Sequence, residues 1–318
     1  MYDVPDALKH GPLTRRCALE AGVPARVLEG VQFRRIHHGV YRHRGHVMTF
    51  ADEVRAARLA LPPGARTTGI TRLQELGLDH GPRRPLHFVV EGDHHLALDG
   101  VFLHRTVSMP PCDDEQGVSV EAAYVSHCAE TWVLDAIKVG SWLLHEGLME
   151  AGKLEALLDE QPWRRAAAGA RWVFPYLDGR CRSLPETALV TFLRFAGLPE
   201  PEVNAVVELA PGIALTPDVW FDPYRGAVEY EGSQHQEDRG QYNADIDRYA
   251  LYRRHRAGYI QITKERMRSP KATVRAVHAL LVEGGYGGPP PHFGELWSTL
   301  FRALRDVVRS VPGQGIRG

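Results

Sequence analysis

Residues 226–235 read GAVEYEGSQH. The Val-Glu-Tyr-Glu alternation has the period of a strand, so Glu229 and Glu231 share a face. Gly232 closes the run and His235 follows four residues after Glu231. The stretch 206–235, VVELAPGIALTPDVWFDPYRGAVEYEGSQH, reads as three strands. The second, ALTPDVWF, and the third, GAVEYEG, are joined by DPYRG, a Pro-and-Gly turn that predicts an antiparallel hairpin. A turn of that length brings Asp218 within a residue of lying opposite Glu229. Three carboxylates, Asp218, Glu229 and Glu231, are then expected on one patch of sheet. Like charges about 4 Å apart repel by roughly 4 kcal/mol at an effective dielectric near 20. Protonation of one acid relieves this, and so does a divalent cation. Hard oxygen ligands suit Mg²⁺ or Mn²⁺. Such an ion serves phosphodiester hydrolysis by activating water and stabilising developing charge.

Each piece also has a plainer reading. Asp218 can be an acid at a strand start, and Glu229 and Glu231 the wet side of an edge strand. His235 can simply end a turn, and Asp247 with Arg248 can be a surface ion pair that contributes little.

The flanks supply a frame. SLPETALVTFLRFAGLPEPEVN (183–204) predicts a helix with Ser183 as cap, Pro185 in the first turn, and a stop at Gly197 and Pro199. RAGYIQIT (256–263) reads as a strand followed by Lys264, and KATVRAVHALLVEGG (271–285) as a closing helix on the sheet. GGYGGPPP is a break. FGELWSTLFRALRDVV (293–308) reads as one helix with Leu296, Leu300, Phe301 and Leu304 on one side. It is expected to dock on the body, with a homodimer as the alternative. QPWRRAAAGARWVFPYLDGRCRS (161–183) shows no clean periodicity and reads as a linker.

Residues 183–268 together resemble the PD-(D/E)xK restriction-endonuclease-like superfamily, in its branch related to the very-short-patch repair (Vsr) endonucleases. The carriers are Glu186 on a helix, Pro217-Asp218, Glu229-Tyr230-Glu231-Gly232-Ser233-Gln234-His235, Asp245-Ile246-Asp247-Arg248, then a strand and Lys264. The resemblance implies Asp218 and Glu229 as metal ligands, with Glu186 approaching from the helix. Glu231 stands where many members carry a lysine that positions water; the branch commonly has an acid there and a downstream histidine. His235 would then orient water or move a proton. Gln234, Asp247, Arg248 and Lys264 would brace the site or touch phosphate.

At the other end, PLTRRCALEAGV (12–23) starts with a Thr cap and places Leu19 and Val23 at helical spacing; Gly22 can end the helix. VPARVLEGV (23–31) reads as a second short helix and QFRRIHHGVYRHRG (32–45) as a basic hairpin. That order is the order of a winged helix-turn-helix. The segment Lys9–Arg44 holds eight basic and two acidic residues, a net of +6, which leaves −7 for the rest of a chain whose total is −1. Arg15, Arg16, Arg26, Arg34, Arg35, His37, Arg42 and Arg44 are the expected contacts to double-stranded DNA, acting through counterion release. Adjacent His37 and His38 point to opposite faces of a strand and make a poor metal pair.

FADEVRAARLAL (50–61) predicts an amphipathic helix ended by PPGA. LHFVVEGD (86–93) and GVFLHRTV (100–107) predict strands, with His94–His95 in a solvated turn. Residues 130–160 predict two or three helices broken at Gly140 and Gly147, with Leu134, Ile137 and Leu144 as a core stripe. The T-x-x-x-A-L-x-A-G-V stretch, RRIHHGVYR and the TWVLDA helix resemble the AbiEi-type antitoxin and regulator family, which implies a DNA-binding winged helix followed by a regulatory or scaffold domain.

The whole-chain bounds agree. The chain has 318 residues, 44% hydrophobic and 24% charged, without an apolar run long enough to span a membrane or to form a signal peptide. Cys17, Cys112, Cys128 and Cys181 form no CxxC pair, which points to a reducing cytoplasm. The expected architecture is α+β and multidomain: a winged helix (1–48), a middle α/β domain (49–165), a restriction-endonuclease-like α/β domain with a central mixed sheet (175–285), and a C-terminal helix and tail (290–318). The expected activity is Mg²⁺- or Mn²⁺-dependent cleavage or nicking of DNA, in repair or defence. The alternatives are a DNA-binding regulator with an inert nuclease-like domain, and an RNA-directed nuclease.

Overall fold

The computed structural model describes residues 2–231 and 248–310 of the chain, a mixed α/β protein of several small sheets. It divides into two compact units, Met1–His127 and Cys128–Gly318. No helix among the described residues is long and apolar enough to cross a membrane.

The first unit opens with a three-stranded antiparallel sheet in the order β1 (Pro12–Thr14), β3 (Val40–His43), β2 (Phe33–His37). Between β1 and β2 lie two short helices, α1 (Arg15–Glu20) and α2 (Ala25–Leu28). Thr14 caps α1 by accepting a hydrogen bond from the Cys17 amide at 3.1 Å. Gly22, at φ +82°, lets the chain turn where a side chain would be strained. Ala18 and Val23 enter the core with Leu28, Phe33 and Tyr41. Leu19, expected inside, is 43% exposed, because α1 is one and a half turns long and shows only its Ala18 face to the sheet. Thr49 and Asp52 form a capping box at the start of α3 (Phe50–Ala60), which packs on all three strands. A second sheet follows, in the order β4 (Arg66–Thr67), β5 (Leu86–Glu91), β6 (Val101–Thr106), with β5 and β6 parallel. Helix α4 (Gly69–Glu75) packs on β5, and α5 (Val120–Cys128) ends the unit.

The second unit begins with α6 (Val133–His145), α7 (Ala151–Glu160) and α8 (Ala167–Val173). Gly140 does not break α6: it is buried in the helix interior, and the break falls at Gly147, φ +65°. The expected linker holds α8, whose apolar Ala-rich face packs on α6, α7 and α14 (Leu304–Ser310). Residues 128–165, read from sequence as the end of a middle domain, thus lie in the second unit, where α6 packs on α9 (Leu184–Phe195). The stretch 293–308 is not one helix. It forms α13 (Glu295–Thr299) and α14, with Leu300 and Leu304 buried and Leu296 and Phe301 turned outward.

The central sheet of this unit is mixed, in the order β12 (Gly258–Thr263), β11 (Gly226–Glu231), β10 (Val219–Phe221), β7 (Glu202–Val203). The expected hairpin is β10–β11, turned by 222–225 with Arg225 at φ +47°. The strand expected over 214–221 splits at Thr216-Pro217-Asp218. Its first part, β9 (Ile213–Leu215), pairs with β8 (Val207–Ala210) in a separate ribbon. Pro217 has no N–H to give a ladder, so the break falls there. The parallel pair β11–β12 is joined by a connection that includes α10, described over 248–254. Helix α12 (Pro270–Glu283) covers β11 and β12. Leu280 on α12 lies so near Gly258 that a Cβ there would sit 2.7 Å from its Cδ1.

Candidate functional site

The register of the central sheet places the acidic residues. Val219 pairs with Val228 in the antiparallel hairpin, so one step further Asp218 stands opposite Glu229. On the outer side Val219 pairs with Val203, and the Asn204 amide donates to the Asp218 carbonyl at 3.1 Å. On the inner side Glu229 pairs with Gln261 of β12. Asn204, Asp218, Glu229 and Gln261 thus form one row across four strands.

Both central acids are held. The Tyr230 amide donates to Asp218 Oδ2 at 2.7 Å. Glu229 Oε1 accepts from the Tyr252 hydroxyl at 3.0 Å and pairs with Arg248 Nη2 at 2.7 Å. The same guanidinium nitrogen donates to the Thr216 carbonyl at 2.6 Å. Arg248 and Tyr252 are one helical turn apart on α10, so one helix face delivers both groups to Glu229.

Burial drives both acids up. Asp218 reaches about 6, chiefly by desolvation, with the Glu186 charge adding to the rise and the Tyr230 amide and the Arg248 and Arg182 charges opposing it. Glu229 reaches about 7, again by desolvation, with the Asp218 charge adding and Arg248 and Tyr252 opposing. The Tyr252 phenol is itself driven up by burial and then by Glu229. Two neighbouring carboxyls raised by burial to about 6 and about 7 are short of positive charge.

The remaining expected acids are placed differently. Glu186 sits at the start of α9 as the partner of Ser183 in a capping arrangement. Its oxygens accept from the Ser183 hydroxyl at 3.0 Å, the Arg182 amide at 3.0 Å and the Asn204 side-chain amide at 3.0 Å. Its charge reaches Asp218, yet its lone pairs serve the helix terminus. Glu231 shares the face of Glu229 but lies two residues along the strand, about 7 Å at the usual rise, opposite Thr263. The expected cluster of three carboxylates is therefore a pair: no group of three or more His, Cys, Asp or Glu side chains able to hold a metal occurs among the described residues. Lys264 opens the short helix α11 (Lys264–Met267) and is exposed. Gln234, His235 and Asp247 lie outside the described residues.

Three site members were not anticipated. Tyr252 had a usable signal, its spacing of four from Arg248. Gln261 and Asn204 had none, since only the register brings them to the row. Asn204 is the most informative. It adopts φ +49°, a conformation asparagine tolerates better than most residues. Its Nδ2 donates to the Arg180 carbonyl at 2.9 Å and to Glu186 at 3.0 Å. Both partners are acceptors, which fixes the amide orientation and leaves Oδ1 buried with no partner among the described residues. The 178–182 segment behind it is anchored by Asp178, held down at about 2 against the cost of its burial by Arg180 and Arg194.

The donor set fits a hard divalent cation. Mg²⁺ commonly takes one or two carboxylates and fills its remaining positions with water and substrate phosphate. Asp218 and Glu229 provide the carboxylates, and Asn204, paired by its backbone with Asp218, carries an orphaned hard oxygen in Oδ1.

In the first unit, Arg15, Arg16, Arg26, Arg34, Arg35 and Arg44 are exposed, whereas His37 and Arg42 are half-buried. Arg34 stands opposite Arg42 across the hairpin. Arg42 turns back, giving its Nη1 to the carbonyls of His43, Arg44 and His46. Burial, and then the Arg84 charge, depress the His37 imidazole, which holds it neutral. Arg16 pairs with Glu20 at 3.6 Å and Arg44 gives its Nε to the Phe33 carbonyl at 3.3 Å, so the free cationic surface is Arg15, Arg26, Arg34 and Arg35 rather than all eight residues. Neither protein-family models nor curated proteins nor solved structures give a match to this chain.

Proposed function

We propose that the chain is a DNA-binding, metal-dependent endonuclease, with the β1–β3 unit as a winged helix and the mixed sheet as a restriction-endonuclease-like core. The carrying observation is the pairing of Asp218 with Glu229 on adjacent strands, each with a carboxyl raised to about 6 or 7. The element order also supports it: α9, the β7–β10–β11 meander, α10, then parallel β12, with Glu186, Asp218, Glu229 and Arg248 on successive elements. Asp218 and Glu229 would hold Mg²⁺ or Mn²⁺, with Asn204 Oδ1 as an added oxygen. When bound, the ion lowers the pKa of a water and stabilises charge on the phosphodiester. Tyr252 and the Tyr230 amide orient the two carboxylates. Arg248 holds Glu229 until substrate arrives and then offers its guanidinium to a phosphate.

The test is nicking of supercoiled plasmid with Mg²⁺ or Mn²⁺ against EDTA. Metal-dependent nicking by the wild type, absent from Asp218→Asn, is expected; equal nicking by both proteins sinks the reading.

The second reading is a DNA-binding regulator whose nuclease-like core is inert. The Arg248–Glu229 ion pair favours it, because it occupies an oxygen that the metal needs. In either reading the hairpin binds duplex. Arg34→Ala with Arg35→Ala should weaken duplex binding similarly across sequences and reduce the log–log salt slope by about 2, near 0.9 per phosphate contact. An unchanged slope in a salt titration removes β2 from the interface.

A further inference from the structure

A cavity of about 600 Å³ opens between the start of α12 and the 293–301 segment. Its lining includes Lys271, Arg275, Phe293, Trp297 and Phe301, and it contains no Asp or Glu. Lys271 Nζ lies 5.4 Å and Arg275 Cζ 5.2 Å from the centroid of the Phe293 ring. Both cations are exposed, and among the described residues neither is in an ion pair. Phe293 packs edge-on against Trp297 at 4.8 Å, and Trp297 against Phe301 at 5.7 Å. Phe301 remains 40% exposed although Trp297 beneath it is buried. The fourteen-residue α12 begins here, and the Ser269 side chain does not cap it. Pro270 has no N–H and the Ala272 and Thr273 amides donate to the Ser269 carbonyl, so the helix dipole and the Lys271 amide are what add partial positive charge at this end.

An exposed aromatic beside cations outside any ion pair, in a lining without acids, suits a ligand that is planar at one end and anionic at the other. We infer that this cavity binds a single-stranded nucleic-acid segment, stacking a base on the exposed Phe301 and receiving phosphates at Lys271 and Arg275 beside Phe293. Stacking and backbone attraction together are how sequence-tolerant single-strand sites work. A rigid duplex hides its base faces and cannot use the aromatic half of the site. The acidic sheet is not needed for this binding, so the inference stands or falls apart from the cleavage proposal.

The experiment is fluorescence anisotropy of a labelled twelve-nucleotide oligo-dT with the full chain in EDTA, with oligo-rU and a twelve-base-pair duplex as further arms. Lys271→Gln with Arg275→Gln should weaken oligo-dT binding about tenfold at low salt and flatten the salt slope by about 1.4, near 0.7 per single-strand phosphate. Phe301→Ala should weaken it about fivefold or more with the salt slope unchanged, as loss of one stacked base does. All three side chains are exposed, and unchanged thermal unfolding verifies that the variants fold. Binding of oligo-rU like oligo-dT is expected, since stacking and phosphate contacts ignore the 2′-hydroxyl. Failure of the wild type to bind oligo-dT overturns the inference. Variants that bind like wild type overturn it too, as does equal weakening of the duplex arm or a change in self-association alone.

Discussion

Asp218→Asn should stabilise the protein at pH 8 while abolishing the proposed cleavage. The wild-type carboxyl titrates near 6 rather than 3.8, so the folded state prefers the protonated form. A carboxyl raised in this way supports folding fully below its unfolded pKa and loses that support as pH rises through its folded value. For Asp218 the window runs from about 4 to about 6. Above it the ionised group weakens the fold by about 3 kcal/mol, since each pH unit across that window costs about 1.4 kcal/mol. The amide has no charge to bury, and its oxygen can still accept from the Tyr230 amide. The expected gain is about 2–3 kcal/mol at pH 8, a rise of roughly 5 °C in the unfolding temperature of this unit. It should shrink toward zero near pH 4, where the wild-type group is neutral as well. Cleavage should fall at least about a hundredfold, equivalent to about 3 kcal/mol of transition-state stabilisation. Thermal unfolding from pH 4 to 8, paired with plasmid nicking, measures both. A variant destabilised at pH 8 would mean that Asp218 is a structural acid. The joint outcome has a general reason: a site kept short of positive charge for a ligand is a strained part of the fold.

The sequence made this pairing visible because strand arithmetic is local. Asp218 and Glu229 flank a short turn with a Pro and a Gly, and period-two alternation sends both to the same face. The Ser183 cap and the α9 start were legible for the same reason, since capping is decided within four residues. The hold on Glu186 was not legible, because it depends on Asn204, eighteen residues away, whose side chain arrives only through sheet register. The ion pair on Glu229 was hidden too. Arg248 was expected to brace the site, but nothing in the spacing said which carboxylate it would meet. The linker reading of 161–183 failed because α8 is short and Ala-rich, with no hydrophobic period to read. The single helix expected over 293–308 failed for a related cause. Leu300 and Leu304 share a stripe with Leu296 and Phe301 on paper. The chain instead leaves the helix after Thr299, and the Trp132–Ala303 bridge fixes it there. Tertiary contacts decided what helical periodicity alone could not.

Arg248→Ala should separate the two readings of the site. Removing the guanidinium takes the main opposing charge from Glu229, whose carboxyl already titrates near 7 by burial, and drives it higher. At pH 5 Glu229 is protonated with or without Arg248, so the loss of stability is confined to the Thr216 hydrogen bond and packing. Above pH 7 the wild type holds an ion pair, whereas the variant must bury a bare carboxylate or keep its proton. Breaking one side of a buried pair costs about 3–5 kcal/mol; Arg248 is 34% exposed, and solvent screening reduces this to about 2 kcal/mol. The deficit should therefore widen from pH 5 to pH 9. Mg²⁺ or Mn²⁺ then decides the matter without any assay of cleavage. A cation held by Asp218 and Glu229 competes with Arg248 for the same oxygen, so the variant should bind it more tightly than the wild type. A ligand present at about a hundred times its Kd stabilises by about 2.7 kcal/mol, enough to offset the deficit at high pH. Rescue of Arg248→Ala by either ion, larger than the shift seen in wild type and absent when Asp218→Asn is added, is the expected result. Equal metal shifts in wild type and variant, or none in either, would mean that Arg248 is the permanent counterion of Glu229 and would favour the reading in which the core is inert.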